Sequence, residues 1–369
     1  MMQSDAKLQT SQPKEVGKPT LTSQQIGCLR FSPCGQLLAA GDYNGHVQLW
    51  RVSDAGLAAV PPLTGNHNGF VDAIAFAPKE QLLFTADTWG RLSCWDYALW
   101  LKDDAPAADA IKPRWSIDAA HDGYIRSVLV SADGKHLATC GRDQIVRLWS
   151  TDGKLKFELK EHREDVYALA FSPDSLLLAS GNLKGAIHLH TAQDGKHQKQ
   201  LDATSLYKYD RIQDVGGARV LTFARDGQSL YCGGAMPSGG GFVQATPKLL
   251  RFDCKTGKLE KEWTLGDPAH GFVYEIIEHT TGELLLITSG QPGQGRFMLL
   301  NPDEKEPGFI NTKMANCHAM TLHPGGHRIA IAATNGGSNA NGRDSALKNG
   351  EYTGNHSPIH LWDLPSSAE

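Results

Sequence analysis

Residues 121–149, HDGYIRSVLVSADGKHLATCGRDQIVRLW, recur in approximate copies along the chain. A chain made of one repeated unit must bury the faces of each copy against its neighbours. The unit holds three short runs rich in Val, Ile and Leu, punctuated by Ala-Asp-Gly and then by Gly-Arg-Asp, which reads as a small antiparallel sheet. In such a sheet the start of the first strand and the turn between the second and third lie at one end. His121 and Asp143 can therefore meet across 22 positions of sequence.

Spacing inside the copies is the sharper test. His67 to Thr85, His121 to Thr139 and His162 to Ser180 are each 18 residues, and each hydroxyl lies 10 residues before the aromatic position of the third strand, Trp95, Trp149 or His190. The unit resembles the WD40 repeat, one four-stranded blade of a β-propeller. Four residues carry the resemblance: His121, Thr139, Asp143 and Trp149. It implies that they form a structural tetrad, a hydrogen-bonded chain running from carboxylate through imidazole and hydroxyl to the indole. The tetrad is expected to be complete in blade 3 alone, because the Asp position reads Asn44 in blade 1, Trp89 in blade 2 and Lys184 in blade 4.

Turns between first and second strands number seven: 32–35, 77–80, 131–134, 172–175, 224–227, 279–282 and 323–326. Their third residues are 45, 54, 41, 52, 55 and 44 positions apart, around the WD40 period with insertions. The third-strand Trp is Trp50, Trp95, Trp149 and Trp362 in four copies, and His190, Phe252 and Leu300 in the others. The expectation is an all-β, seven-bladed propeller of four-stranded antiparallel blades. A flexible tail would occupy 1–14 and one propeller domain 15–369. After Trp362 too little chain remains for a fourth strand in blade 7, so residues 15–22 are the expected donor. Pro19 is acceptable there because an outermost strand has one unpaired edge.

A net charge of −4 gives no general attraction to nucleic acid or anionic membrane. Seven cysteines without a C-x-x-C pair read as reduced, buried small residues of a cytoplasmic protein. No apolar run is long enough for a signal peptide or a membrane span. No serine-hydrolase elbow, phosphate loop or Cys-His arrangement is present, and no cofactor, metal or catalytic residue is expected. His188 and His190 lie two apart on a strand, but His190 fills a Trp position, which assigns it to structure. His318, His323 and His327 lack partners at ligand spacing.

Insertions mark the departures from a bare scaffold. Blade 5 (234–248), blade 6 (289–295) and blade 7 (335–358) each lengthen the connection between second and third strands, so all three stand on the face that bears His121 and Asp143. Long Gly-rich connections between regular strands are often functional. The same face should present Tyr43, Phe70, Trp89, Tyr124 and Phe272 from shorter turns, with Phe242, Arg343 and Tyr352 from the long ones, the residue types of interface hot spots. Tyr124, Phe70 and Phe272 have a second reading as packing between blades. An insertion on the opposite face, 98–115, reads as a loop folded back over blade 2 and anchored by Trp100 and Trp115.

The function expected is thus a non-enzymatic protein- or peptide-binding scaffold, a monomeric propeller that uses the face with the long loops. The alternative is a metal-dependent, lactonase-like propeller hydrolase with Asp72 or Glu275 among the ligands at the channel mouth.

Overall fold

The computed structural model describes residues 12–102, 111–210, 212–238, 244–334 and 356–365. Seven antiparallel sheets follow one another in sequence, the blades of a seven-bladed propeller. Six of them are meanders of four consecutive strands: 26–63, 71–117, 125–159, 166–202, 220–264 and 272–311. The first strand of each blade touches the first strand of the next, and that of blade 7 (Cys317–Leu322) touches that of blade 1 (Ile26–Phe31), which closes the ring.

Burial explains the repeat's composition. Second strands such as Leu37–Asp42, Leu82–Asp87 and Arg328–Ala333 are buried along their whole length, because a blade is covered on both faces, and they read as mainly apolar runs without the alternation of a one-sided sheet. Fourth strands such as Leu155–Leu159 and His197–Asp202 form the rim, are largely exposed, and carry the charged residues. The described residues hold seven hydrophobic clusters, one at each blade boundary. Phe84 and Ala86 meet Ile125 and Trp149 between blades 2 and 3, and Leu29 and Trp50 meet Ala330 and Leu361 between blades 7 and 1.

The seventh sheet is completed from the N-terminal side. Pro358–Asp363 pairs antiparallel with Lys14–Glu15 and again with Thr20–Leu21, and the Val16 amide donates to Leu361 O at 2.8 Å. The donated strand is broken between these pairs, where Gly17 takes a positive φ of 66°. Thr22 Oγ1 donates to Ser357 O at 2.9 Å and accepts from the Ser357 amide at 2.9 Å, which fixes the end of the clasp.

Two connections differ from the sequence expectation. The blade 5 insertion is for most of its length no loop: its second and third strands run to nine residues each, Ser229–Pro237 and Ala245–Asp253, and pair as far as Pro237 opposite Ala245. Between blades 4 and 5 a further hairpin, Tyr207–Asp210 with Gln213–Gly216, packs against that extended second strand. The described ends of the insertion on the opposite face are anchored: Trp100 is fully buried and its indole donates to Pro61 O at 2.9 Å, while the Trp115 indole donates to Thr151 O at 3.3 Å.

Candidate protein-binding face at the channel mouth

Two tetrads, rather than one, brace this face. In blade 3, Trp149 Nε1 donates to Thr139 Oγ1 at 2.9 Å, Thr139 Oγ1 lies 2.7 Å from His121 Nε2, and His121 Nδ1 lies 2.9 Å from Asp143 Oδ1. Burial holds the His121 pKa below its usual value, so the neutral ring donates through Nδ1. Asp143, bonded to His121 and Arg147, is held well below the usual carboxylate range. Blade 2 has the same chain: Trp95 Nε1 to Thr85 Oγ1 2.9 Å, His67 Nε2 to Thr85 Oγ1 2.7 Å, and His67 Nδ1 to Asp87 Oδ2 3.0 Å. The expectation that blade 3 alone is complete is therefore corrected. Asp87 sits two residues before Trp89, at the end of the second strand, and its other oxygen accepts the amides of Trp89 and Arg91 at 2.9 and 3.0 Å. Asp42 and Asn182 take the matching turn bonds in blades 1 and 4, whereas blade 3 has Gly141 there and draws its carboxylate from the turn itself.

Blade 4 departs from the pattern. His162 Nε2 lies 2.8 Å from Ser180 Oγ, and four imidazoles gather beyond it: His162 and His188 with centroids 4.6 Å apart, His188 Nδ1 3.0 Å from His197 Nε2, and His190 and His197 at 5.1 Å. His190 Nε2 is 3.0 Å from Glu161 Oε2, but the contact is too bent for a hydrogen bond. Burial, then the neighbouring imidazoles, depresses His162 to about 3 and His188 to about 4.

The central channel, about 890 Å³, is lined by the first strands. Six of these carry a bulge at one register, which leaves Gly27, Asp72, Arg126, Tyr167, Tyr274 and His318 without a cross-strand partner. A bulge kinks the strand and re-aims the extra side chain. In blade 5 the corresponding residue is Arg219, whose amide donates to Gly233 O at 3.0 Å. Each blade thus contributes one residue to a ring at the end of the channel where the tetrad histidines lie, and all seven line the cavity.

Within the ring, groups of opposite character are interleaved. The Asp72 carboxylate accepts from the Tyr124 hydroxyl and leans over Gly27, where a Cβ would come within 2.1 Å of Asp72 Oδ1. Arg126 Cζ lies 4.5 Å from the Tyr124 centroid and 4.1 Å from that of Tyr167, and Arg126 Nη2 donates to Asp165 at 3.1 Å. Arg219 continues this ladder of cations and rings, its Cζ 4.0 Å from the Tyr167 centroid and 5.4 Å from that of Phe272, and its Nε donates to Gly216 O at 2.7 Å. Deeper in the channel Arg30 Nη1 is 3.4 Å from Glu275 Oε2. Burial raises the pKa of Asp72 and of Glu275.

Of the residues singled out from sequence, Tyr43 and Phe70 stack with centroids 4.5 Å apart and planes 6° apart, Tyr124 and Phe272 join the ladder, and Trp89 stands 70% exposed against Gly69. Phe242, Arg343 and Tyr352 lie outside the described residues, as does most of the blade 7 insertion. The blade 6 turn is tied down, since Asn316 Nδ2 donates to Gly290 O at 3.0 Å. Asp72 and Glu275 are each engaged by a side chain of their own. Among the described residues no group of three or more His, Cys, Asp or Glu is arranged to hold a metal.

Sequence reasoning missed Arg126, Tyr167, Arg219 and Tyr274. Their signal lies at one position near the start of each first strand, which reads Gly, Asp, Arg, Tyr, Arg, Tyr and His across the blades and follows an apolar residue in every one. It also missed the hairpin between blades 4 and 5. There Tyr209 and Ile212 are 62% and 87% exposed, and Ile212, a β-branched residue, holds a positive φ of 63°.

The model for the WD domain, G-beta repeat (WD40), matches residues 17–51, 60–96, 112–150 and 153–190, each of which spans essentially the first three strands of one of blades 1 to 4. The chain is similar to periodic tryptophan protein 2 of Arabidopsis thaliana, 25% identical over 237 residues that cover 54% of this chain and 25% of that protein. It is also similar to the THO complex subunit 6 homolog of Danio rerio, 24% over 228 residues, covering 59% of this chain and 68% of that protein. A third relative is the small ribosomal subunit protein RACK1 of Candida albicans, 28% over 171 residues, 46% of this chain and 50% of that protein. The chain therefore spans only a quarter of the first relative and half of the third. No helix among the described residues is long and apolar enough to cross a membrane. WD40 repeat proteins are in general non-enzymatic scaffolds, and with four matched repeats and seven closed blades this chain belongs to the WD40 repeat family.

Proposed function

We propose that the protein is a cytoplasmic scaffold that binds a protein or peptide segment across the face surrounding the channel mouth. The observation that carries this reading is the continuous run of rings and guanidinium groups there, from Tyr124 through Arg126, Tyr167 and Arg219 to Phe272, together with the Tyr43–Phe70 stack. Aromatic and Arg side chains held in fixed geometry are the groups that dominate interface energies, because they lose little freedom on binding. The exposed Trp89, Tyr209 and Ile212 extend the same face outward with apolar surface that folding does not use. All seven cysteines are free, five of them buried, which supports a reducing compartment.

The test is a partner captured from the native host and one affinity per variant. Replacing 207–216 by a short Gly-containing turn, or Trp89 by Ala, should weaken binding by at least about 1 kcal/mol without lowering the melting midpoint, since surface connections carry little of the core. Trimming 103–110, within the connection between the third and fourth strands of blade 2, should leave affinity unchanged. Loss of binding from that trim, with the hairpin variant behaving as the parent, would move the site to the other face.

A further inference from the structure

Three guanidinium groups and three carboxylates stand in and around the channel, but they are not all paired with one another. Arg126 is paired with Asp165, Arg30 with Glu275, and Asp72 with the Tyr124 hydroxyl. Arg219 alone among these cations has no carboxylate within 4 Å among the described residues; its one hydrogen bond to them, through Nε, goes to a backbone carbonyl. That bond and the flanking rings of Tyr167 and Phe272 hold the guanidinium in place and leave both terminal nitrogens for a ligand. A positive group fixed in advance between aromatic faces, at the rim of an open channel, forms a recognition element whose ordering cost has already been met in folding.

Its geometry selects among anions. A guanidinium meets a carboxylate fork to fork, with two parallel N–H···O bonds in one plane. A planar carboxylate keeps both oxygens in the plane of the guanidinium fork, whereas a tetrahedral phosphate sends further oxygens out of that plane, and the Tyr167 and Phe272 rings stand 4.0 and 5.4 Å from Arg219 Cζ. The protein surface bearing the group is also one on which apolar rings surround the cation, which suits an acidic side chain set among hydrophobic ones. We infer that the channel mouth recognises an acidic residue of the partner, the carboxylate of an Asp or Glu in an extended segment, through Arg219. This inference rests on the partner-binding reading above and specifies its chemistry.

The probe is a randomised twelve-residue peptide library selected on the full-length protein, with enriched sequences resynthesised and their affinities measured by fluorescence anisotropy. Enriched peptides should share an Asp or Glu at one position. Changing it to Asn or Gln should cost at least tenfold in Kd on the parent protein and little on Arg219→Met, so that the two changes are not additive. Arg219→Lys should recover little, because an ammonium lacks the fork. Sodium acetate should displace the peptide better than sodium phosphate at equal ionic strength, a comparison on the parent protein that stands even if the Arg219 variants fold poorly. Enriched peptides without a shared acid, an acid-to-amide loss that is the same on Arg219→Met, or stronger displacement by phosphate would each overturn the inference and leave a partner-binding face in place. A library that enriches nothing would count against the face itself.

Discussion

Replacing Trp149 or Trp95 by Ala lowers the unfolding free energy by about 3 to 5 kcal/mol, the range for removing a large buried ring. Trp95 is 1% exposed and Trp149 5%, and each packs in a cluster shared by two blades, so the cavity opens at an interface that cannot close without moving a neighbouring sheet. Loss of the indole also leaves Thr85 or Thr139 without its donor. Asp87→Ala and Asp143→Ala should cost less, about 1 to 3 kcal/mol, by stripping the acceptor from a buried imidazole N–H. Urea unfolding of the four variants checks the order. An Asp87→Ala protein with the parent midpoint would remove blade 2's carboxylate from the structural account.

Stability should fall by roughly 2 to 4 kcal/mol as pH drops from 6.5 to 4. The sign follows from the blade 4 histidines. His162 and His188 are depressed by burial to about 3 and about 4, so below 6.5 the unfolded chain takes up protons that the folded protein refuses. The contribution is complete above 6.5 and is lost as pH falls toward the folded values. His121, His136, His190, His270, His318 and His323 are shifted the same way, His318 to about 4. Asp72, Glu275 and Glu278 are raised and oppose the trend in part, while Asp87 and Asp143 are lowered and release their share only below the usual carboxylate range. Unfolding free energies at half-unit steps should show the slope, and His162→Asn with His188→Gln should reduce it, leaving the share of His318. A parent protein equally stable at pH 6.5 and 4 would contradict the neutral buried cluster.

The propeller was legible because its signals are local or periodic. Eighteen-residue intervals from His to Thr or Ser, turns at seven positions and a last blade short of a strand need no knowledge of distant contacts, and all agree with the sheets observed. The second tetrad was not legible in the same way. One template position was assigned to the carboxylate, whereas both the last residue of the second strand, as in Asp87, and the turn, as in Asp143, reach the same imidazole. The channel ring was hidden for a different reason. A bulge is a property of cross-strand register, and Arg126, Tyr167 and Arg219 become neighbours only when separate blades close around an axis. The blade 5 insertion misled through its glycines, which suggested a loose loop where paired backbone continues to Pro237.

The most direct test of a binding face at the channel mouth is amide hydrogen exchange of the protein with and without its captured partner. Protection is expected in 207–216, in the turns around Trp89 and Tyr124, and at the start of the first strands near Arg126, Tyr167 and Arg219. Protection confined to the turns at 32–35, 131–134 and 224–227, at the opposite end of the channel, would contradict it.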